Sequence, residues 1–167
     1  IRVQYSDKDA AQTLSNYLKT FLDNNSIIVC IGTDKCIGDC LGPLVGTLLS
    51  KTDFKYPVFG TLENPAHAVN LDRVMAEINL RYGKPFIIAV DACLGHSEFI
   101  GDIQIKSGPV HPGKGVGKSL PYVGDISIVG VVDSVDISDI FSIRTIRLNL
   151  IMKMAEVISS ALINCQK

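Results

Sequence analysis

Two short runs of purely apolar residues constrain the fold of this chain more than any other feature. Residues 27–31 and 86–90 each contain five consecutive apolar side chains. Such continuous runs are typical of parallel strands that are buried on both faces of a sheet. A further apolar stretch covers residues 126–132. Because parallel strands need long crossover connections, usually helices, these runs predict an α/β fold.

Apolar residues at helical spacing occupy much of the chain between these runs. The opening segment, for example, places aliphatic side chains four residues apart, which is the pattern of one helix face. The sequence predicts helices over residues 7–23, 41–49, 64–80 and 144–163, and further strands over residues 58–60 and 102–106. We therefore expect one domain over residues 1–167, with three α/β/α layers around a mixed, mostly parallel sheet.

Composition and charge exclude several classes of protein. Hydrophobic residues make up 47% of the 167 residues, which argues against a disordered chain. The net charge of −1 gives no basic field, so we expect no direct nucleic-acid partner. No apolar run approaches the ~20 residues of a membrane span, and the first residues lack the core of a signal peptide. The odd number of five cysteines favours a reducing, cytoplasmic compartment. The sequence leaves open whether the chain forms a homo-oligomer.

Two aspartates follow the two apolar runs. Asp91 comes directly after residues 86–90, and Asp39 lies in the loop that leads from residues 27–31 into a helix. Each has a structural interpretation, since Asp39 can cap the helix and Asp91 can cap the following loop. Open parallel sheets bind ligands beyond the carboxyl ends of their strands. If the two strands are neighbours, the carboxyls can share one proton and supply both an acid and a base.

A loop rich in glycine and proline spans residues 107–119. Its sequence is one residue short of a phosphate-binding Walker loop, and proline stands where the first glycine belongs. Glycine permits a close approach of the backbone to a ligand, and a histidine in the loop adds a polar group. We expect the loop to contact substrate through Gly108, His111, Gly113, Gly115 and Gly117.

Three cysteines accompany the aspartate motifs. Cys36 and Cys40 are separated by three residues, and Cys93 follows Asp91 closely. A helix N-terminus lowers the pKa of a thiol, which makes Cys40 a candidate nucleophile. The interpretation that we favour is that all three act as small buried hydrophobic residues. His67 falls inside a predicted helix, where the sequence offers it no partner.

These motifs, in this order, resemble germination protease, the atypical aspartic-type endopeptidase of spore-forming bacteria. The likeness covers about residues 27–132, with anchors at residues 28–43, 88–94 and 103–117. The short, single-domain layout is closer to the YyaC-type spore proteases, a compact branch of that superfamily. The fold of these proteins, shared with hydrogenase-maturation endopeptidases, is of the phosphorylase/hydrolase-like type.

The resemblance implies a hydrolase of sporulation and spore germination. Asp39 and Asp91 would be its catalytic pair, with the glycine-rich loop packed beside them. It implies a protein substrate, small acid-soluble spore proteins, and a location in the forespore or spore interior. It implies no cofactor.

Two alternatives remain open at this point. A metal-dependent peptidase of the maturation type would use Asp39, Asp91 and His111 to hold a divalent metal. A non-catalytic sporulation protein would retain the same site in degenerate form. The second alternative arises because nothing in the chain corresponds to the propeptide and the extra substrate-binding parts of germination protease.

Overall fold

The computed structural model describes residues 1–112, 120–135 and 146–166. The strands are β1 (Arg2–Gln4), β2 (Ser26–Cys30), β3 (Val58–Phe59), β4 (Phe86–Gly95), β5 (Asp102–Ser107) and β6 (Ile126–Ser134). The helices are α1 (Ala10–Leu18), α2 (Leu41–Ser50), α3 (Leu71–Tyr82) and α4 (Leu148–Asn164), with short 3-10 helices at Ile37–Asp39 and Ser97–Phe99.

One six-stranded sheet organises the described residues, with the strand order β1-β5-β6-β4-β2-β3. Strand β4 pairs in parallel with both β2 and β6, and β2 pairs in parallel with β3. Strand β5 runs antiparallel to its neighbours β1 and β6. The expectation of a mixed, mostly parallel sheet is confirmed, and the two apolar runs are adjacent strands at its centre.

Helices cover both faces of the sheet. Successive strand residues point to opposite faces, so Ile28 and Ile88 pack in one core cluster with α1, α2 and α4. Ile27 and Ile87 pack in the second cluster, with Leu71 of α3. This burial on both faces explains why the central strands are continuously apolar, and it confirms the three-layer α/β/α architecture.

The opening helix is shorter than the predicted span of residues 7–23. The chain leaves the α-helical conformation after Leu18, where the Thr20 hydroxyl donates to the Tyr17 carbonyl at 2.7 Å. The Phe21 N–H then donates to the Leu18 carbonyl in a tighter turn. Leu22 still reaches the core, so the apolar spacing identified the buried face correctly but extended the helix too far.

The third helix also begins later than predicted. Residues 64–70 form a loop, because Asn70 donates through Nδ2 to the Pro65 carbonyl and accepts the His67 N–H at Oδ1, each at 2.8 Å. Side-chain bonds of this kind compete with helical backbone bonds. His67 therefore lies in the loop before α3, and the prediction that places it inside a helix is wrong. None of the described helices combines the length and apolar character needed to cross a membrane.

Candidate active site

The strand order creates a crevice between β2 and β4. From β2 the chain passes through α2 to β3, which lies on one side of β2 at the edge of the sheet. The chain then passes through α3 to β4, which lies on the other side of β2 and pairs in turn with β6. The helices α2 and α3 lie against opposite faces. In open α/β sheets, ligands bind beyond the carboxyl ends of the strands at such a switch point.

Asp39 lies at the end of the 3-10 helix Ile37–Asp39, directly before α2. The Thr33 N–H donates to the Asp39 carbonyl at 2.9 Å, which closes the loop after β2. Cys40 occupies the cap position of α2, and no side chain caps that helix. The interpretation of Asp39 as a helix cap is therefore wrong, because the residue falls one position before the cap.

Two glycines allow the Asp39 loop to lie against the end of β2. Gly32 has φ +136°, and a Cβ there would collide with the Asp39 carbonyl oxygen. A Cβ at Gly42, in the first turn of α2, would collide with the Ile31 carbonyl oxygen. Only glycine permits the positive φ at position 32 and the close approach of backbone at both positions. The two glycines thus let the backbone of the loop that carries Asp39 lie against the end of β2.

Asp91 lies within β4 and not beyond its end, which corrects the prediction that the strand stops at residue 90. Asp91 is paired with Val129 of β6, whereas the ladder between β4 and β2 ends at the pair Cys30 and Val90. Its Oδ1 accepts the Ala92 N–H at 2.8 Å. Pairing with β6 keeps β4 extended after β2 has ended. Asp91 is therefore the first residue of β4 that lacks β2 beside it.

The two carboxyls, here called the acidic pair, are close enough for the charge of one to act on the other. Burial raises the pKa of Asp91 from 3.8 to about 8, the Ala92 N–H lowers it, and the Asp39 charge raises it. Burial also raises the pKa of Asp39, while the Thr33 backbone and the His67 charge lower it. Burial thus dominates at both positions, and the proton is held more firmly by Asp91.

His67 is a neighbour of the acidic pair that the sequence did not identify. Its ring is half-buried, and its Nδ1 accepts the Val69 N–H at 3.2 Å. In the neutral ring this bond leaves the proton on Nε2. When the ring is protonated at both nitrogens, and Nδ1 no longer accepts this bond, its positive charge lowers the pKa of Asp39. Proline and asparagine on either side of His67 were the available signal, because both favour a loop over a helix.

A cleft of about 510 Å³ adjoins His67, between β3 and α3. Its lining is largely polar and includes Glu63, His67, Asn70, Arg73 and Glu77. The cleft lies on the α3 face of the sheet. Cys93 packs in the α3-side core cluster, and alternation along β4 puts Asp91 on that same face. The cleft and the acidic pair therefore share one side of the molecule, with His67 between them.

The glycine-rich loop is described only over residues 107–112. Gly108 has φ +98° and donates its N–H to the Asp125 carbonyl at 2.8 Å. The His111 ring is exposed and packs edge-on against Tyr122, with 4.0 Å between ring centroids. Gly113, Gly115 and Gly117 lie outside the described residues. Of the two histidines His67 and His111, His67 is the one whose charge acts on the pKa of Asp39.

No ready-made metal site is found in residues 1–112, 120–135 and 146–166. Nowhere in them are three His, Cys, Asp or Glu side chains grouped so that they could hold a metal ion. Asp39, Asp91 and His111 are accordingly not gathered as a ligand set. The acidic pair supplies two carboxylates, which are suited to proton transfer as they stand.

The cysteines beside the acidic pair are not activated. Burial raises the pKa of the Cys40 thiol, and the charges of Asp34 and Asp39 raise it further. The expected lowering by the helix N-terminus is therefore wrong, because desolvation and acidic neighbours oppose it. Burial likewise raises the pKa of Cys93. Cys36 is exposed, so the interpretation as a buried hydrophobic residue fails for that cysteine alone among the three.

Comparison with known proteins gives matches along almost the whole chain. Residues 2–161 match the family described as "Protein of unknown function (DUF1256)". The chain is 42% identical over 165 residues to the "Uncharacterized protein YyaC" of Bacillus subtilis (strain 168), covering 96% of this chain and 80% of that protein. The YyaC-type part of the resemblance is thereby confirmed. The matched region includes Asp39, Asp91 and His67.

Proposed function

The chain belongs to the DUF1256 family, whose description names no activity, and we propose that it is a peptidase in which the acidic pair hydrolyses peptide bonds. The observation that carries this proposal is the placement of two neighbouring, partly or largely buried carboxyls at the sheet's switch point. Burial raises the pKa of Asp91 to about 8. The pKa of Asp39 is raised less, because the Thr33 backbone and His67 oppose the effect of burial.

Unequal protonation assigns one role to each carboxyl. Because burial raises the pKa of Asp91 to about 8 and that of Asp39 less strongly, we assign Asp39 as the general base and Asp91 as the general acid. Asp39 takes a proton from a water molecule, whose oxygen attacks the peptide carbonyl carbon. Asp91 gives its proton to the carbonyl oxygen. When the carbon–nitrogen bond breaks, Asp39 returns its proton to the leaving amine, and Asp91 recovers its own from the new carboxyl group.

Positioned proton transfer of this kind supplies about 10²–10⁴-fold in rate. The remaining acceleration has to come from orientation of the substrate and from donors that stabilise the developing oxyanion. His67 presents a protonated Nε2 in its neutral form, since its Nδ1 accepts the Val69 N–H. It is a candidate donor for this role, because it lies close enough to Asp39 to act on the pKa of that carboxyl. The backbone of the glycine-rich loop is a second source of donors.

The substrate class rests on the resemblance to germination protease. We infer that the substrates are small acid-soluble spore proteins, cleaved during germination inside the spore. The cleft of about 510 Å³ beside His67 offers room for substrate residues on the side of the acidic pair. Hydrolysis by the acidic pair requires no cofactor.

The test is incubation of the purified protein with small acid-soluble spore proteins, read by mass spectrometry. We expect cleavage by the unaltered chain and by Asp53→Asn, a control at an exposed aspartate. Asp39→Asn and Asp91→Asn should lose cleavage by at least about 10²-fold. Intact substrate with the unaltered chain would contradict the proposal, as would normal cleavage by either acidic-pair variant.

The same assay separates the two alternatives. Cleavage that a chelator abolishes and a divalent metal restores would favour the metal-dependent peptidase. Binding of the spore proteins without cleavage would favour the non-catalytic protein. We expect cleavage that persists in the chelator.

A further inference from the structure

Strand β4 is longer than the strand beside it. The ladder with β2 ends at Cys30 opposite Val90, and the last backbone bond across it runs from the Ile31 N–H to the Val90 carbonyl at 2.7 Å. Strand β4 itself continues to Gly95, paired on its other side with β6. In the part of the chain that the structure describes, the segment from Ala92 to Gly95 therefore has one edge without a neighbouring strand.

The direction of the unpaired groups follows from strand geometry. Alternate residues of a strand direct their N–H and C=O to opposite sides. The Val90 carbonyl points toward β2, whereas the Gly95 carbonyl accepts the Val135 N–H on the β6 side. The register shift in this ladder places its extra residue on β6 and leaves the alternation of β4 intact. Ala92 and Leu94 therefore point their backbone groups toward the free edge.

One of these groups is already paired. The Ala92 N–H donates to Asp91 Oδ1, which links the free edge directly to the acidic pair. Among the described residues, none hydrogen-bonds to the Ala92 carbonyl or to the Leu94 N–H and carbonyl on this side. They form an acceptor, a donor and an acceptor along one strand edge, next to Asp91.

Exposed apolar side chains flank these groups. Leu94 is 47% exposed, and Ile37, on the 3-10 helix that carries Asp39, is 46% exposed. That helix contacts β4. Unpaired backbone groups with apolar side chains beside them match the chemistry of an extended polypeptide, which binds sheet edges through its own backbone.

We propose that an extended segment of the polypeptide substrate binds as an added strand along the free edge of β4, from Ala92 to Gly95. Peptide N–H groups donate to the Ala92 and Leu94 carbonyls, and the Leu94 N–H donates to a peptide carbonyl. The added strand then passes beside Asp91, which puts a peptide bond within reach of the acidic pair. This inference rests on the proposed function for the identity of its ligand, but its binding step does not require catalysis.

Binding is measured by fluorescence anisotropy with Asp91→Asn, so that chemistry cannot consume the probe. The probe is a labelled pool of unstructured peptides of about ten residues, compared with the same pool N-methylated at every residue, which blocks both edges of an extended peptide. We expect the methylated pool to bind at least about tenfold more weakly, because methylation removes the donors that an added strand needs. Equal binding of the two pools, or no binding up to about 1 mM peptide, would overturn the inference.

A pair of substitutions in the Asp91→Asn background tests the protein side. Leu94→Pro removes the N–H at the free edge and breaks no ladder bond, and proline is tolerated at edges and irregularities of strands. Leu94→Ala keeps that N–H and removes the side chain. We expect about tenfold weaker binding for proline and at most about threefold for alanine. An equal effect of both would show that only the side chain contributes. If the proline variant does not fold, as judged by its melting temperature, the comparison of the two peptide pools decides the question.

The two proposals fail separately. If Leu94→Pro, introduced into the enzyme that keeps Asp91, leaves the cleavage rate unchanged, strand addition is overturned and the peptidase proposal stands. Methylation-sensitive binding by a protein that cleaves nothing would retain strand addition and overturn the peptidase.

Discussion

Replacement of Asp91 by Asn should stabilise the protein at neutral pH while it abolishes hydrolysis. Burial raises the pKa of Asp91 from 3.8 to about 8, so the folded protein retains a proton that the unfolded chain has released. Asparagine is neutral at every pH and keeps an Oδ1 that can accept the Ala92 N–H. The variant therefore removes the cost of holding the carboxyl protonated, at little cost in hydrogen bonding.

The sign and size of this effect follow from proton linkage. Between pH 3.8 and about pH 8 the folded state binds more protons at Asp91 than the unfolded state, so the stability of the unaltered protein falls as pH rises. Each pH unit in this window contributes about 1.4 kcal/mol. From about pH 5 to about pH 8 the full effect is about 4 kcal/mol, and partial solvent access to Asp91 reduces the expected gain of the variant to about 2–4 kcal/mol.

Urea denaturation of the unaltered protein and of Asp91→Asn across this pH range measures the difference. We expect the variant's advantage in the free energy of unfolding to be small near pH 5 and to grow toward pH 8. Asp53→Asn, at an exposed site, serves as the control and should show no such growth. A stability difference between Asp91→Asn and the unaltered protein that stays constant from about pH 5 to about pH 8 would refute the assignment of a retained proton to Asp91.

Three further predictions follow from the same geometry. The kcat/KM of hydrolysis should fall above about pH 8, where Asp91 loses its proton; a pH–rate profile that is flat through this region would contradict its role as the acid. Cys40→Ser and Cys93→Ser should each keep most of the activity, because burial raises the pKa of both thiols; loss of turnover in a folded variant would indicate a thiol mechanism. Gly42→Ala should lower the free energy of unfolding by at least about 2 kcal/mol, because its Cβ collides with the Ile31 backbone. A loss in chemical denaturation well below this value would refute the packing argument.

The centre of the sheet could be predicted because burial on both faces leaves a direct mark on the sequence. The apolar runs of β2 and β4 require no tertiary information beyond that mark. The first strand, Arg2–Gln4, was not predicted, because a three-residue edge strand with exposed and half-buried side chains has no distinct pattern. Its pairing with β5 is set by tertiary contact alone.

The acidic pair could be predicted from the order of motifs, but its surroundings could not. The switch-point rule needs only the succession of strands and helices, and it identified Asp39 and Asp91. The position of His67 depends on side-chain bonds between Asn70 and the loop before α3. The helical spacing of apolar residues in the sequence contains no information about such side-chain bonds. The continuation of β4 through Asp91 depends on pairing with β6, a strand distant in sequence.

The central chemical claim is that the acidic pair holds one proton near neutral pH and that Asp91 carries it. NMR titration of the carboxyl carbons, in protein labelled at aspartate and assigned with Asp39→Asn and Asp91→Asn, measures this directly. We expect the Asp91 carboxyl to titrate near pH 8 and the Asp39 carboxyl to titrate at lower pH, above its ordinary value of 3.8. An Asp91 carboxyl that is fully ionised by about pH 5 would contradict the division of the pair into acid and base.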